Sequence, residues 1–161
     1  MLSFCIVGGQ KCASSYLQFM ISEHPNIILE RGENTYFEDH NVDQIESINQ
    51  KINKKYPNAD GKVVGIKRPT YLTNINAAKL LYIHNPKIKI FIIVRDPIER
   101  FISAYYHLSK SSYIKPVGLN QTIEKLRNQN FNINDKYNSR LYSLLSYGKF
   151  QKYSLFYKKM F

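Results

Sequence analysis

Tryptophan is absent from the 161 residues, cysteine occurs only twice, and acidic residues are few beside basic ones. Cys5 and Cys12 are too few for a disulfide framework, and no second pair offers the four ligands of a structural zinc site. A reducing compartment, the cytoplasm in the first instance, is the simpler expectation. Long apolar runs are also missing. None approaches the roughly 18 residues of a membrane span, and the opening "MLSFCIVGG" is too short for a signal peptide. Nothing in the chain directs export or anchoring. Lysine and arginine outnumber aspartate and glutamate by 23 to 12, a formal charge of +11. That balance suits an anionic ligand, an anionic polymer or a membrane surface. The missing tryptophan and the abundance of lysine, asparagine, isoleucine and tyrosine are equally what an AT-rich coding sequence produces. The basic residues are scattered, so charge permits an anionic partner without demanding one.

What is present is the material of one packed domain. Hydrophobic residues make up 43% and aromatics 14%, which excludes the low-hydrophobicity signature of disorder. Residues 3–8 form an apolar run that breaks at glycine, as a buried parallel strand does. Ser14 to Ser22 carries Tyr16, Leu17, Met20 and Ile21 at helical spacing until "HPN" stops the helix. Ile27 to Leu29 reads as a second strand, 62–67 as a third, and 88–96 as a fourth. The fourth is apolar on both faces and is expected at the sheet centre. Helices are predicted over Val42 to Lys55, 77–84, from Pro97 through "ERFISAYYHL", over 121–128 after a polar stretch, and, after another polar loop, as one final helix from about Asn138. The turn "YPNADGK" closes the helix before the third strand. Strands alternating with helices predict an α/β domain, a parallel sheet with flanking helices.

Ligands of such sheets bind beyond the carboxyl ends of the strands. Lys11, Glu33, Lys67 and Arg95 each fall just past a predicted strand and form a candidate site. The turn "GGQKCASS" joins flexible glycines, a lysine and a helix start, which suits a phosphate-like anion. It is not a Walker A motif, because Lys11 precedes Ser14 by three positions. Its plain alternative is a tight turn with Ser14 as helix cap. Arg95 can likewise be a surface partner of Asp96 or Glu99, Lys67 a solvated lysine, and Glu33 a cap of the next helix. Lone histidines such as His24, His84 and His107 fit surface or packing roles better than catalysis.

Taken together, "VGGQKCASS" and "IIVRDPIERFISAYYH" (92–107) resemble the cofactor-binding elements of sulfotransferases that use 3′-phosphoadenosine 5′-phosphosulfate. The resemblance implies a P-loop-like nucleotide-binding fold. It implies that Gly9, Lys11, Cys12, Ala13, Ser14 and Ser15 hold the 5′-phosphosulfate. Arg95 and Ser103, eight positions apart with Pro97 between them, match the family's pair for the 3′-phosphate. "ENTYF" and "KRPTYL" are similar to further elements of the heparan-type glycan sulfotransferases. They imply Glu33 as general base, with Lys11 and Lys67 stabilising charge on the bridging oxygen as the sulfuryl group moves. His107 resembles a residue that follows the phosphate motif in the family's cytosolic branch, where it is not the base. Adenosine 3′,5′-bisphosphate is then the product nucleotide, no metal is needed, and the sequence shows no metal-ligand cluster.

The expected reaction is sulfuryl transfer to a hydroxyl or amine of a carbohydrate or other hydroxyl-bearing acceptor, with no nucleic acid partner. A protein-tyrosine acceptor and a non-catalytic polyanion- or nucleotide-binding module are the alternatives. A phosphoryl-transfer enzyme on the same turn lacks its metal-binding carboxylate and Walker order. Three departures stand out. Ala13 replaces a glycine, Arg68 replaces a small hydroxyl residue, and residues 1–161 read as a single sulfotransferase-like domain without the family's C-terminal cofactor-closing segment.

Overall fold

The computed structural model describes residues 1–57, 59, 61–128 and 135–161. Part of the "YPNADGK" turn and most of the polar loop before the last helices lie outside the described residues. Four strands form a parallel sheet: β1 (Phe4–Ile6), β2 (Ile27–Leu29), β3 (Val63–Lys67) and β4 (Lys89–Phe91), in the order β2-β3-β1-β4. Between them run α1 (Ser14–Ser22), α2 (Ile45–Lys55) and α3 (Ile75–His84); α4 (Pro97–Lys110), α5 (Leu119–Arg127), α6 (Lys136–Ser146) and α7 (Phe150–Met160) follow. This is the α/β class that the alternation predicts.

The chain divides into two compact units, Met1–Val94 with Gln151–Phe161, and Arg95–Phe150. The first holds the sheet. β1 pairs on both sides and is wholly buried, because its three apolar residues have no polar face to present. Phe4, Ile6 and Leu29 pack with Leu17 and Ile21 of α1. The second unit is helical, with Ala104, Tyr105 and Leu108 of α4 packed against Leu126, Leu141 and Leu144. Asp96 caps α4 by accepting hydrogen bonds from Ile98 and Glu99, and Pro97 occupies the first turn, where its missing donor costs nothing.

Three expectations need correction. The run 88–96 is not a central strand: β4 stops at Phe91 and is an edge among the described residues. Beyond Phe91 the chain pairs with a turn instead of a ladder, since Ile93 O accepts from Gly9 N at 2.8 Å. The inward face of α1 is also different. Tyr16 and Met20 are exposed, whereas Ser14 and Gln18 are buried. Gln18 earns that place by donating to Glu30 O at 2.5 Å and Gly32 O at 2.9 Å. Finally, the last helix is two, α6 and α7, separated around Gly148. Glycine is a poor helix former, and Gly148 N closes a tighter turn on Leu145 O at 3.1 Å.

Two positions fix the sheet. Gly65 lies opposite Phe4 in register, and a Cβ there would sit 2.0 Å from Phe4 Cζ. His84, at the end of α3, accepts a hydrogen bond from Leu2 N at Nε2 (3.1 Å), which leaves Nδ1 to donate to Asn49 Oδ1 (2.5 Å). Gly65→Ala is therefore expected to destabilise the fold by about 1–3 kcal/mol in urea unfolding. The cost should shrink in the double variant with Phe4→Leu, because the two positions share one clash.

Burial, followed by the nearby terminal ammonium, pulls the His84 pKa down from 6.5 to about 4. Between those values the unfolded chain binds the proton and the folded chain does not, so stability rises with pH across the window. Unfolding free energy should accordingly fall as pH drops from 6.5 toward 4. His84→Gln should flatten that slope, measured as urea midpoints across the same range.

Candidate functional site

All four strands are parallel, so the chain leaves each at the same edge of the sheet. The turn after β1 enters α1 through a strained backbone. Lys11 (φ 65°) and Ala13 (φ 63°) both sit in the left-handed region, and Cys12 N bonds Gly9 O at 3.1 Å. Ala13, not Ser14, is the N-cap, and no side chain caps the helix. Ser14 is instead the first helical residue and is buried. The arrangement is one that accommodates an anion, with helix-start N–H groups and a partial positive charge.

β3 ends on Lys67, whose side chain is only 3% exposed. Its Nζ donates to Ser15 Oγ at 2.9 Å and lies 3.9 Å from Glu33 Oε1. Burial lowers the Lys67 pKa from its ordinary value and the Arg68 charge adds to that, while Glu33 opposes both. Lys67 is thus neither solvated nor peripheral. It joins the helix-start serine to the carboxylate on the loop after β2.

That loop is fastened at several points. Asn34 N donates to Lys67 O at 3.0 Å, and Tyr71 Oη donates to Asn34 O at 2.9 Å while accepting from Phe37 N at 2.9 Å. Phe37 and Tyr71 are fully buried and meet edge to face. Glu33 caps no helix. It is 41% exposed, with Oε2 held by Arg68 Nη1. A polar cavity of about 440 Å³ opens beside it, lined by Glu33, Tyr36, His40, Lys51 and Lys55 among others.

Arg68 in turn grips Glu38 with both arms, Nε to Oε1 at 2.6 Å and Nη2 to Oε2 at 2.8 Å, and Thr70 Oγ1 donates to the same carboxylate at 2.9 Å. Burial pushes the Glu38 pKa up, but the hydrogen bonds and the Arg68 charge bring it below its ordinary value. Sequence reasoning missed Glu38, Thr70, Asn34 and Gln18. Each is a common polar residue in a loop or on a helix, and none carries a spacing signal of its own.

The structure therefore brings Ser15, Lys67 and Glu33 together. Arg95 and Ser103 belong to the helical unit. Arg95 directly precedes the α4 cap and pairs with Glu99, Nη2 to Oε2 at 2.9 Å, while Ser103 is half-buried on α4. No described group of three or more His, Cys, Asp or Glu is placed to hold a metal ion.

A parallel sheet flanked by helices, with a glycine turn into an uncapped helix and a buried lysine at a strand end, defines an α/β protein of the sulfotransferase fold. The chain belongs to the Sulfotransferase family, whose model matches residues 2–158. It is 27% identical over 105 residues to the membrane-associated sulfotransferase kil1 of Dictyostelium discoideum, a match that spans 65% of this chain and 22% of that relative. A crystal structure of a sulfotransferase from Alicyclobacillus acidocaldarius has the same fold. It superimposes with a TM-score of 0.76 at 23% identity, covering all of this chain and 69% of that one. No described helix is long and apolar enough to cross a membrane.

The left-handed Ala13 explains why a glycine is usual there. Ala13→Gly should be neutral to about 1 kcal/mol stabilising, the relief of strain being partly offset by a looser unfolded chain. Ala13→Val should cost about 1–3 kcal/mol. Urea unfolding of the two variants measures the conformational demand directly.

Proposed function

We propose that this protein is a sulfotransferase that uses 3′-phosphoadenosine 5′-phosphosulfate and acts on a hydroxyl or amine of a carbohydrate. The observation that carries the reading is the line Ser15, Lys67, Glu33, which sets a hydroxyl, a buried ammonium and a carboxylate side by side at the sheet edge. The residues present fit the donor. The uncapped start of α1, the left-handed turn and Lys11 suit its phosphosulfate, for which Gly9, Cys12, Ala13, Ser14 and Ser15 supply the cradle. Arg95 and Ser103 are assigned to the 3′-phosphate, with Arg95 exchanging Glu99 for a dianion that matches its fork better.

The donor supplies an activated sulfuryl group. Lys11 and Lys67 stabilise the negative charge that develops on the leaving oxygen, and Lys67 does so from a site where water screens little. Glu33 takes the proton of the attacking hydroxyl or amine. The polar cavity beside Glu33 is the place for the acceptor, since its wall contains the base.

The test is a thermal-shift titration with adenosine 3′,5′-bisphosphate, AMP and ATP as controls, repeated on Lys11→Ala and Arg95→Ala. A ligand that binds only the folded chain stabilises it by about 2.7 kcal/mol at 100-fold over its dissociation constant. The expected result is a shift specific to the bisphosphate and lost in both variants. Equal shifts with AMP, or none at millimolar bisphosphate, would remove the donor assignment. Transfer from radiolabelled donor to an unsulfated polysaccharide, with a tyrosine peptide in parallel, then decides the acceptor class.

A further inference from the structure

Arg68 stands in the position where the resembling motif has a small hydroxyl residue, and it is the hub of a chain of contacts. Thr70 and Arg68 both bind Glu38, and Arg68 extends its remaining arm to Glu33. Two of the three guanidinium nitrogens are committed to one carboxylate in the bidentate geometry that fixes a guanidinium plane. The third, Nη1, has its direction set by that anchor. It meets Glu33 Oε2, while Glu33 Oε1 faces Lys67 at 3.9 Å. The two oxygens of Glu33 are thus distinguished, one held from the Arg68 side and the other turned toward the Ser15–Lys67 line.

The anchor is firmer than the pair it serves. Arg68 and Glu38 are both largely covered, whereas Glu33 is 41% exposed. An exposed glutamate with no such partner samples several rotamers, and only some of them point at Lys67. Lys67 alone cannot fix the carboxylate, because 3.9 Å is beyond a hydrogen bond. Of the other charged groups lining the cavity beside Glu33, Glu30 and Lys55 pair with one another at 3.1 Å.

We propose that Arg68, anchored by Glu38, is a positioning residue that holds Glu33 by Oε2 and leaves Oε1, on the Lys67 side, as the oxygen that takes the acceptor's proton. The assignment of Oε1 rests on Glu33 being the base. The grip of Arg68 on Glu33 does not.

The test uses the full chain without ligand. Carbodiimide coupling of a small amine to carboxylates, followed by peptide mapping, reports Glu33 against the exposed Glu23 as internal reference. Glu33 should be protected in the native protein. Its labelling relative to Glu23 should rise about 2- to 5-fold in Arg68→Met, the factor that an exposed ion pair is worth, and similarly in Glu38→Gln, where Arg68 itself is untouched. Arg68→Lys, which keeps the charge but loses the fork, should fall between. Unchanged Glu33 labelling in Arg68→Met, or an equal rise at Glu23 that signals general loosening, would overturn the proposal. Failure of the base reading looks different. Glu33→Gln would then retain full transfer to the polysaccharide or peptide probe, whatever the labelling shows.

Discussion

The ammonium of Lys67 is buried at the end of a strand, and much of the surrounding loop structure follows from that one constraint. A buried charge costs several kcal/mol unless hydrogen bonds and an opposite charge accompany it. Ser15 supplies the hydrogen bond and Glu33 the charge, which requires α1 and the loop after β2 to converge on the carboxyl end of β3. The lowered pKa of Lys67 shows that this compensation is incomplete. An anion bound at the start of α1 would complete it, since a neighbouring negative charge favours the ammonium form.

Holding Glu33 near Lys67 places demands on its loop. Gln18 reaches across from α1 to Glu30 and Gly32, and Asn34 bonds the backbone of Lys67. Tyr71 clasps Asn34 and Phe37 through one hydroxyl. Phe37 then stands edge-on to both Tyr71 and His84, and His84 bonds the start of β1. The loop is consequently continuous with the core of the sheet unit. Its glutamate can be exposed without being loosely placed, which is the condition for a group that must meet a substrate and still be aimed.

How much of this was legible in the sequence depends on the kind of signal. The short apolar runs of β1, β2 and β3 and the start of α4 at Pro97 were visible because burial and a proline's missing donor write themselves into residue type. The fate of 88–96 was not. Apolar residues on both faces predict burial on both, yet β4 lies at the edge with Phe91 exposed, and beyond it Ile93 O accepts from Gly9 N instead of continuing the ladder. Gln18 was missed for a related reason. A polar residue off the predicted apolar face is expected in solvent, yet here it is buried because it donates to two carbonyls of a distant loop. Lys67 and Glu33 were found by their place after strands and by the family's pattern. Their contact is a tertiary fact that no spacing contains.

Arg68 is where pattern and physics part. By the motif it is a substitution that adds bulk to a pocket. In the structure its bulk is turned along Glu38, and burial, which opposes its charge, is outweighed by the carboxylates of Glu38 and Glu33 that hold it. A small hydroxyl in its place could neither bridge two glutamates nor neutralise the pair. Glu38 and Arg68 are therefore mutually dependent: without the arginine, Glu38 would lose both guanidinium hydrogen bonds, and without Glu38 the arginine would have no fixed direction from which to hold Glu33. The local charge of the site is set by this arrangement and not by the +11 of the whole chain. Two cations, Lys67 and Arg68, and two carboxylates, Glu33 and Glu38, form one connected line, and that line carries no net charge of its own.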